Sequence, residues 1–264
     1  MPDREPSALT RFQVDSLEVE IHETRALAGR AAAQAVAGAI ARRLAETNRV
    51  NVVFAAAPSQ DEFLAGLGAD PTVDWSRVVA FHMDEYLGLT ADHPASFRRY
   101  LNERLFRLKT AQGLVTKLIP GEKIDRPLFT CADYESLLLQ SPPDVICAGI
   151  GENGHLAFND PPVADFLDPV LVKVVRLDPA CRLQQVNDGC FEQLADVPTH
   201  AYTITMQVFL RAPLVTVVAP GPRKARAVQA TLKGPVTEAC PASALRGCPG
   251  ARLYLDRDSA KLVS

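Results

Sequence analysis

Gly149-Ile150-Gly151-Glu152-Asn153-Gly154-His155-Leu156-Ala157-Phe158-Asn159-Asp160-Pro161 follows directly on an apolar run, Val145-Ile146-Cys147-Ala148. That run is too short for a helix and is bounded by turn formers, so it reads as a buried strand. Three glycines then let the backbone turn sharply and approach a ligand closely. The turn carries an imidazole, His155, with carboxylates at Glu152 and Asp160 and amides at Asn153 and Asn159. A histidine titrates near neutral pH, and a neighbouring carboxylate fixes its tautomer and raises its basicity. In an α/β protein such a loop lies at the carboxyl ends of the parallel strands, where sites form. The same residues also suit a plain glycine-rich turn whose histidine only hydrogen-bonds its own loop.

Working outward, residues 1–16 read as a loose arm and Glu18-Val19-Glu20-Ile21 alternates like an edge strand. An alanine-rich helix is expected over 23–47. Val50 to Ala55 forms a central strand that ends in Pro58-Ser59-Gln60-Asp61-Glu62 and a further helix. A strand, a turn and a helix N-terminus make an anion cradle, although Ser59 equally suits a simple N-cap. Val78 to Met83 is the next strand, and it runs into Asp84 and Glu85. Neighbouring carboxylates at a strand end point in different directions, so one can face a cleft while the other holds the loop. His82 and His93 read as structural.

Beyond a helix from Ser96 to Phe106, strands are expected at 114–119, 171–175, 201–206, 214–219 and 251–255. Helices are expected at 129–140, 179–194 and 224–232. Arg182 and Lys224 each stand near the start of a helix, where a cation opposes the dipole, so an anion is the expected partner. A surface arginine is the plainer reading of Arg182. Strands alternating with helices over short links imply a Rossmann-like α/β fold, a mostly parallel sheet with helices on both faces. No repeat or linker interrupts the chain, and residues 1–264 read as one domain.

Composition narrows the function classes. With 47% hydrophobic and 22% charged residues the 264-residue chain is that of a soluble globular protein. Its net charge of -3, with both signs interspersed, argues against a nucleic-acid surface. The charged N-terminus lacks a signal core, and the longest apolar stretch, 31–41, is too short to span a bilayer. Six cysteines without a CxxC pair read as free thiols of a cytoplasmic protein, and no metal site is expected. The sequence leaves room for a homo-oligomer without specifying one.

Phe81-His82-Met83-Asp84-Glu85-Tyr86-Leu87-Gly88-Leu89, with His93-Pro94 after it, resembles the MDEY segment of glucosamine-6-phosphate deaminases. The 149–161 loop resembles that family's G-x-G-x-D-G-H-x-A-F-N-E-P loop, and the similarity runs in order from about residue 20 to residue 258. The resemblance implies conversion of glucosamine 6-phosphate to fructose 6-phosphate and ammonia by acid–base groups, with no cofactor. It implies that Asp84 is the base that moves a proton between C2 and C1, and that His155 assists ring opening. Asp160 and Asn153 stand where the family has the glutamate paired with this histidine and an aspartate. Ser59, Gln60, Arg182 and Lys224 match phosphate ligands, and Glu85 joins the substrate-binding set.

Three departures mark a divergent branch, with a different amino-sugar phosphate or a weaker deaminase. The family's P-T-G-G-T phosphate loop is replaced by Pro58-Ser59-Gln60-Asp61-Glu62, whose two acids repel phosphate unless turned away. Asn153 removes a charge from the neighbourhood of the histidine. Asp160 reaches about 1.5 Å less far than glutamate, one methylene of chain. Pro162-Val163-Ala164-Asp165-Phe166 replaces the serines and basic residues of allosterically activated members, so such activation is not expected. A 6-phosphogluconolactonase-like hydrolase, with no use for Asp84, and a non-catalytic sugar-phosphate sensor are the competing readings.

Overall fold

Short apolar runs rich in Val, Ile and Phe suit strands buried on both faces, and the chain supplies several. The computed structural model describes residues 7–187 and 189–263. Its strands are β1 (Thr10–Val14), β2 (Leu17–His22), β3 (Val50–Phe54), β4 (Val78–His82), β5 (Asp84–Tyr86), β6 (Val115–Lys117), β7 (Val145–Ala148), β8 (Val172–Arg176), β9 (His200–Ile204), β10 (Leu214–Val218) and β11 (Ala251–Asp256). The helices are α1 (Arg25–Glu46), α2 (Asp61–Ala69), α3 (Phe97–Leu101), α4 (Pro127–Gln140), α5 (Pro179–Asn187), α6 (Met206–Arg211), α7 (Ala225–Lys233) and α8 (Arg257–Ala260).

Eight strands form one sheet in the order β1-β2-β11-β10-β7-β3-β4-β6. From β2 to β6 all neighbours are parallel, and β1 joins antiparallel. From β3 the chain proceeds outward through β4 and β6 on one side, while β7, β10 and β11 lie on the other. The order therefore reverses between β3 and β7, and the crevice outside their carboxyl ends is where an open α/β sheet binds ligands. Strands β5, β9 and β8 form a second, antiparallel sheet in that order.

The period of two divides each central strand between two cores. Val53, Phe81, Ile146, Val217 and Leu253 pack on one face, and Val52, Phe54, Ala80, Val145 and Cys147 on the other. Against the second face lies α1, whose Ala28, Ala32, Val36 and Ile40 recur every fourth residue and are buried. Thr24 caps it by accepting from the Leu27 amide. Its Gly29 has a packing reason, because a Cβ there would lie 2.8 Å from the Glu62 Cβ where α1 meets α2.

Several expectations are corrected. The arm proposed over residues 1–16 contains β1, and its first six residues lie outside the described ones. With β1 beside it, β2 is not an edge. The helix expected to reach Leu194 ends at Asn187, because Gly189 takes φ +75° and turns the chain back. The Gly189 amide then bonds to Val186 O and the Cys190 amide to Gln185 O, the pattern of a glycine-terminated helix. Ser59 lies in a 3-10 turn, Pro58–Gln60, and makes no cap bond.

Candidate active site

Four strand ends build one cleft. Past β3 come Ala55, Ala56, Ala57 and Ser59; past β4, Met83 and Asp84; past β7, Gly149, Gly151, His155 and Ala157; past β10, Lys224. Phe97, Phe158, Gln184 and Gln185 complete the wall. The space is about 490 Å3 counted out to its open mouth.

Asp84 opens β5 and is 7% exposed. Burial raises its pKa well above the ordinary carboxylate range, and the charge of Glu85 adds to the shift. Such a carboxyl is a stronger base than a solvated one once it is ionised. Its neighbour Glu85 points the other way and is corrected from the substrate-binding set. The buried Glu85 carboxylate accepts from the amides of Tyr86 (3.0 Å), Phe97 (3.2 Å) and Arg98 (3.1 Å) and from Ser96 Oγ (2.7 Å). Arg98 Nε adds an ion pair at 3.1 Å. Glu85 thus satisfies the open amides at the start of α3 and ties the loop after β5 to that helix.

In the loop after β7, His155 Nδ1 lies 2.7 Å from Asn153 Oδ1 and 2.9 Å from Asp160 Oδ1. Asn153 Nδ2 donates to the same Asp160 oxygen at 2.9 Å. Two oxygen acceptors on Nδ1 assign the proton to that nitrogen and leave Nε2 as the basic one. Burial works against the Asp160 charge, but the bond from His155, that residue's charge and the bond from Asn153 outweigh it, so its pKa falls below the usual value. The shortened side chain at position 160 therefore still reaches the imidazole. Gly151 has to be glycine, since a Cβ there would sit 2.2 Å from the ring carbon Cε1 of His155. Ala157, on the cleft wall, holds φ +51°, a left-handed conformation that costs a residue with a Cβ roughly 1–2 kcal/mol.

The expected phosphate ligands divide. Ser59 and Lys224 line the cleft. Gln60 does not, and is corrected: it is buried beneath the loops, with Nε2 donating to Val218 O (3.1 Å) and Ser59 Oγ (3.2 Å). Arg182 is also corrected. Its Nη2 donates to the carbonyls of Leu194 (2.7 Å) and Val197 (2.8 Å), and it faces a separate cavity with Arg176 and Thr199. The partner of this helix-start cation is backbone oxygen, not an anion. The acids after Gln60 are turned away, Asp61 to Arg104 (2.7 Å) and Glu62 to Arg25 (2.5 Å). Neither His82 nor His93 lines the cleft. Burial lowers the pKa of His82 to about 3, and His93 Nδ1 accepts from the Ala95 amide.

Other residues of the site escaped the sequence. Thr203 stands opposite Asp84 in the β5/β9 ladder, and its hydroxyl accepts from the Phe158 amide at 3.1 Å. Asn159, one of the two amides evident in the loop sequence, is structural: it donates to Leu156 O and Ile204 O and pins the loop to the same strand. Gln184 and Gln185 have no motif to announce them. Metal-type donors also converge where none were expected, with one donor atom each of His155, Asp160 and Cys181 within 4.8 Å of one another. Among the described residues these three are the group that could hold a metal ion, and hydrogen bonding already explains the first two. No helix among the described residues is long and apolar enough to cross a membrane.

Comparison with known proteins agrees with this geometry. Residues 23–163 match the family model described as glucosamine-6-phosphate isomerases/6-phosphogluconolactonase. A glucosamine-6-phosphate deaminase of Listeria innocua is 35% identical over 217 residues, 82% of this chain and 89% of that one. A deaminase of the same name from an Exiguobacterium species is 37% identical over 188 residues, 71% of each chain. The structure of a monomeric glucosamine-6-phosphate deaminase superposes with a TM-score of 0.81 at 28% identity, covering 92% of this chain and 99% of that one. The 6-phosphogluconolactonase of Trypanosoma brucei, with TM-score 0.76 and 16% identity over 97% of this chain and all of that one, shares the fold. The chain belongs to the glucosamine-6-phosphate isomerase/6-phosphogluconolactonase family.

Proposed function

We propose that the protein converts glucosamine 6-phosphate and water to fructose 6-phosphate and ammonia, as one domain acting through acid–base groups. The observation that carries this reading is the meeting of Asp84 and His155 on one cleft, although 71 positions (155 − 84) separate them in the chain. His155, steadied by Asp160 and Asn153, exchanges a proton with the ring oxygen and opens the sugar. Asp84 removes the proton from C2 and returns it to C1, which turns the C2 amine into an imine. Water adds to that imine, and ammonia leaves as the ketone forms. Lys224 and Ser59 hold the charged end of the sugar, and remote binding energy of this kind orients the reacting carbons.

The buried carboxyl of Asp84 favours a deaminase over a lactone hydrolase, which needs only an activated water at His155. Assaying ammonia from hexosamine 6-phosphates with the wild type and Asp84→Asn tests the reading. Turnover is expected to fall by about 10²–10⁴ with binding retained. An undiminished rate in the variant overturns it.

A further inference from the structure

Three donors of different chemistry gather where the loop after β7 meets the first turn of α5. One donor atom each of His155, Asp160 and Cys181 lies within 4.8 Å of the others, and the residues are buried, at 8%, 1% and 1% exposure. Among the described residues no other cysteine meets two such donors. The contact between imidazole and carboxylate accounts for His155 and Asp160, and it leaves the thiol over. Asp160 Oδ2 is buried without a well-formed hydrogen bond, and the Cys181 thiol is a further group near enough to steady that carboxylate's charge. An S–H is a weak donor, so it serves a buried carboxylate oxygen poorly. Buried charges are otherwise paired or bound to a metal ion.

The donor set is selective. Imidazole nitrogen, carboxylate oxygen and thiolate sulfur together suit zinc and its neighbours in the first transition row, not magnesium or calcium. Bonds of about 2.0–2.3 Å set the ligand atoms of a tetrahedral ion about 3.3–3.7 Å apart. Here His155 Nδ1 and Asp160 Oδ1 are 2.9 Å apart and no pair in the group exceeds 4.8 Å, so side-chain shifts of about 1 Å close the site. His155 lines the cleft, which gives an ion its way in. The other cavity that Asp160 lines holds Arg176 and Arg182, which repel a cation.

We infer that His155, Asp160 and Cys181 form an inhibitory site for a zinc-type divalent ion. Binding forms one bond from each residue and releases the thiol proton to solvent, with no change of oxidation state. An imidazole nitrogen bonded to the ion accepts no proton, so an occupied site takes His155 out of the ring-opening step. The inhibition rests on the deaminase reading above; the binding does not.

The test titrates the full chain, without an affinity tag and freed of metal by a chelator, with Co²⁺ as a coloured stand-in for Zn²⁺. The wild type is expected to develop the visible bands of tetrahedral cobalt and a near-ultraviolet sulfur-to-cobalt band, both erased by equimolar Zn²⁺. Cys181→Ser is expected to lose the sulfur band, and His155→Ala the tetrahedral spectrum, each in protein shown by circular dichroism to be folded. Cys190→Ser, which alters the half-buried cysteine beyond α5, is expected to keep both. Zn²⁺ is expected to stop ammonia release by the wild type. Cys181→Ser is expected to need at least about 100-fold more Zn²⁺ for the same effect, since even outer-shell partners of a metal ligand change affinity 10- to 100-fold. A wild type without the sulfur-to-cobalt band, a Cys181→Ser protein that retains it, or ammonia release indifferent to Zn²⁺ overturns the inference. The deaminase reading fails separately, if the metal-free protein releases no ammonia from any hexosamine 6-phosphate while the cobalt spectrum still forms.

Discussion

Thr203 faces Asp84 across the β5/β9 ladder while its hydroxyl oxygen accepts the Phe158 amide, so one side chain couples the carboxylate strand to the histidine loop. Its buried hydroxyl sets how the two halves of the site are spaced. Thr203→Val keeps the shape and removes the acceptor, leaving a buried N–H unpaired at about 1–3 kcal/mol. The variant is expected to melt several degrees lower, and its turnover to fall about 10- to 100-fold, since misplacement of about 1 Å costs that much. KM is expected to stay within about twofold. Thermal melts and steady-state kinetics on the same preparation check both halves, and unchanged turnover would show that the spacing is set elsewhere.

The raised pKa of Asp84 has a directional consequence for activity. The base works only when ionised, so kcat/KM is expected to rise with pH along a limb centred above the ordinary aspartate value of about 3.9. Glu85 contributes to the shift through its charge. Glu85→Gln is therefore expected to move the limb to lower pH, read from a pH–rate profile.

Stability runs the opposite way. A carboxyl whose folded pKa exceeds its unfolded pKa binds more protons in the folded state between those two values. Folding stability is then full below the unfolded value near 3.9 and is lost as pH rises through the folded one. Asp84→Asn removes that loss. The variant is expected to gain melting temperature over the wild type as pH is raised from 4 to 8, while losing turnover. A constant difference across that range would show that Asp84 titrates normally.

Breaking the buried Glu85–Arg98 pair is the most damaging change expected outside the cleft. Glu85→Ala takes the buried partner from an arginine that is 6% exposed, leaving it Glu122 at 2.7 Å, and opens the start of α3. Losing one partner of such a pair costs about 3–5 kcal/mol, which chemical denaturation measures directly.

The two helix-start cations are expected to separate by assay. Lys224→Met raises KM by about 10-fold or more, because a charge-assisted bond is worth about 1.5–3 kcal/mol. Arg182→Met lowers stability, since the carbonyls of Leu194 and Val197 lose their donor, and leaves KM within about twofold. A large KM change for Arg182→Met would place it at the substrate after all.

The strands were legible because Val50 to Phe54, Val145 to Ala148 and Leu214 to Val218 are short, apolar and bounded by turn formers. That two neighbouring carboxylates would point apart was legible too, but Glu85 was counted with the substrate ligands, because the pattern does not say which of the two holds the loop. Arg182 was misplaced because a helix-start cation signals only that some oxygen is near, and carbonyls 12 and 15 residues away supply it. Gln60 was misplaced because a polar side chain after a strand says nothing about whether it points up into the cleft or down under it. Thr203, Gln184 and Gln185 left no local trace, since their roles come from neighbours distant in sequence.

The pairing of β2 with β11, in which Val19 lies beside Leu253, bears on how the chain matures during synthesis. The hairpin of β1 and β2 leaves the ribosome before its sheet neighbour, which is translated more than 200 residues later (253 − 19 = 234). Contacts so distant along the chain slow folding. Until β11 arrives, β2 and β10 each have one open edge, exposed to wrong pairing with other nascent chains.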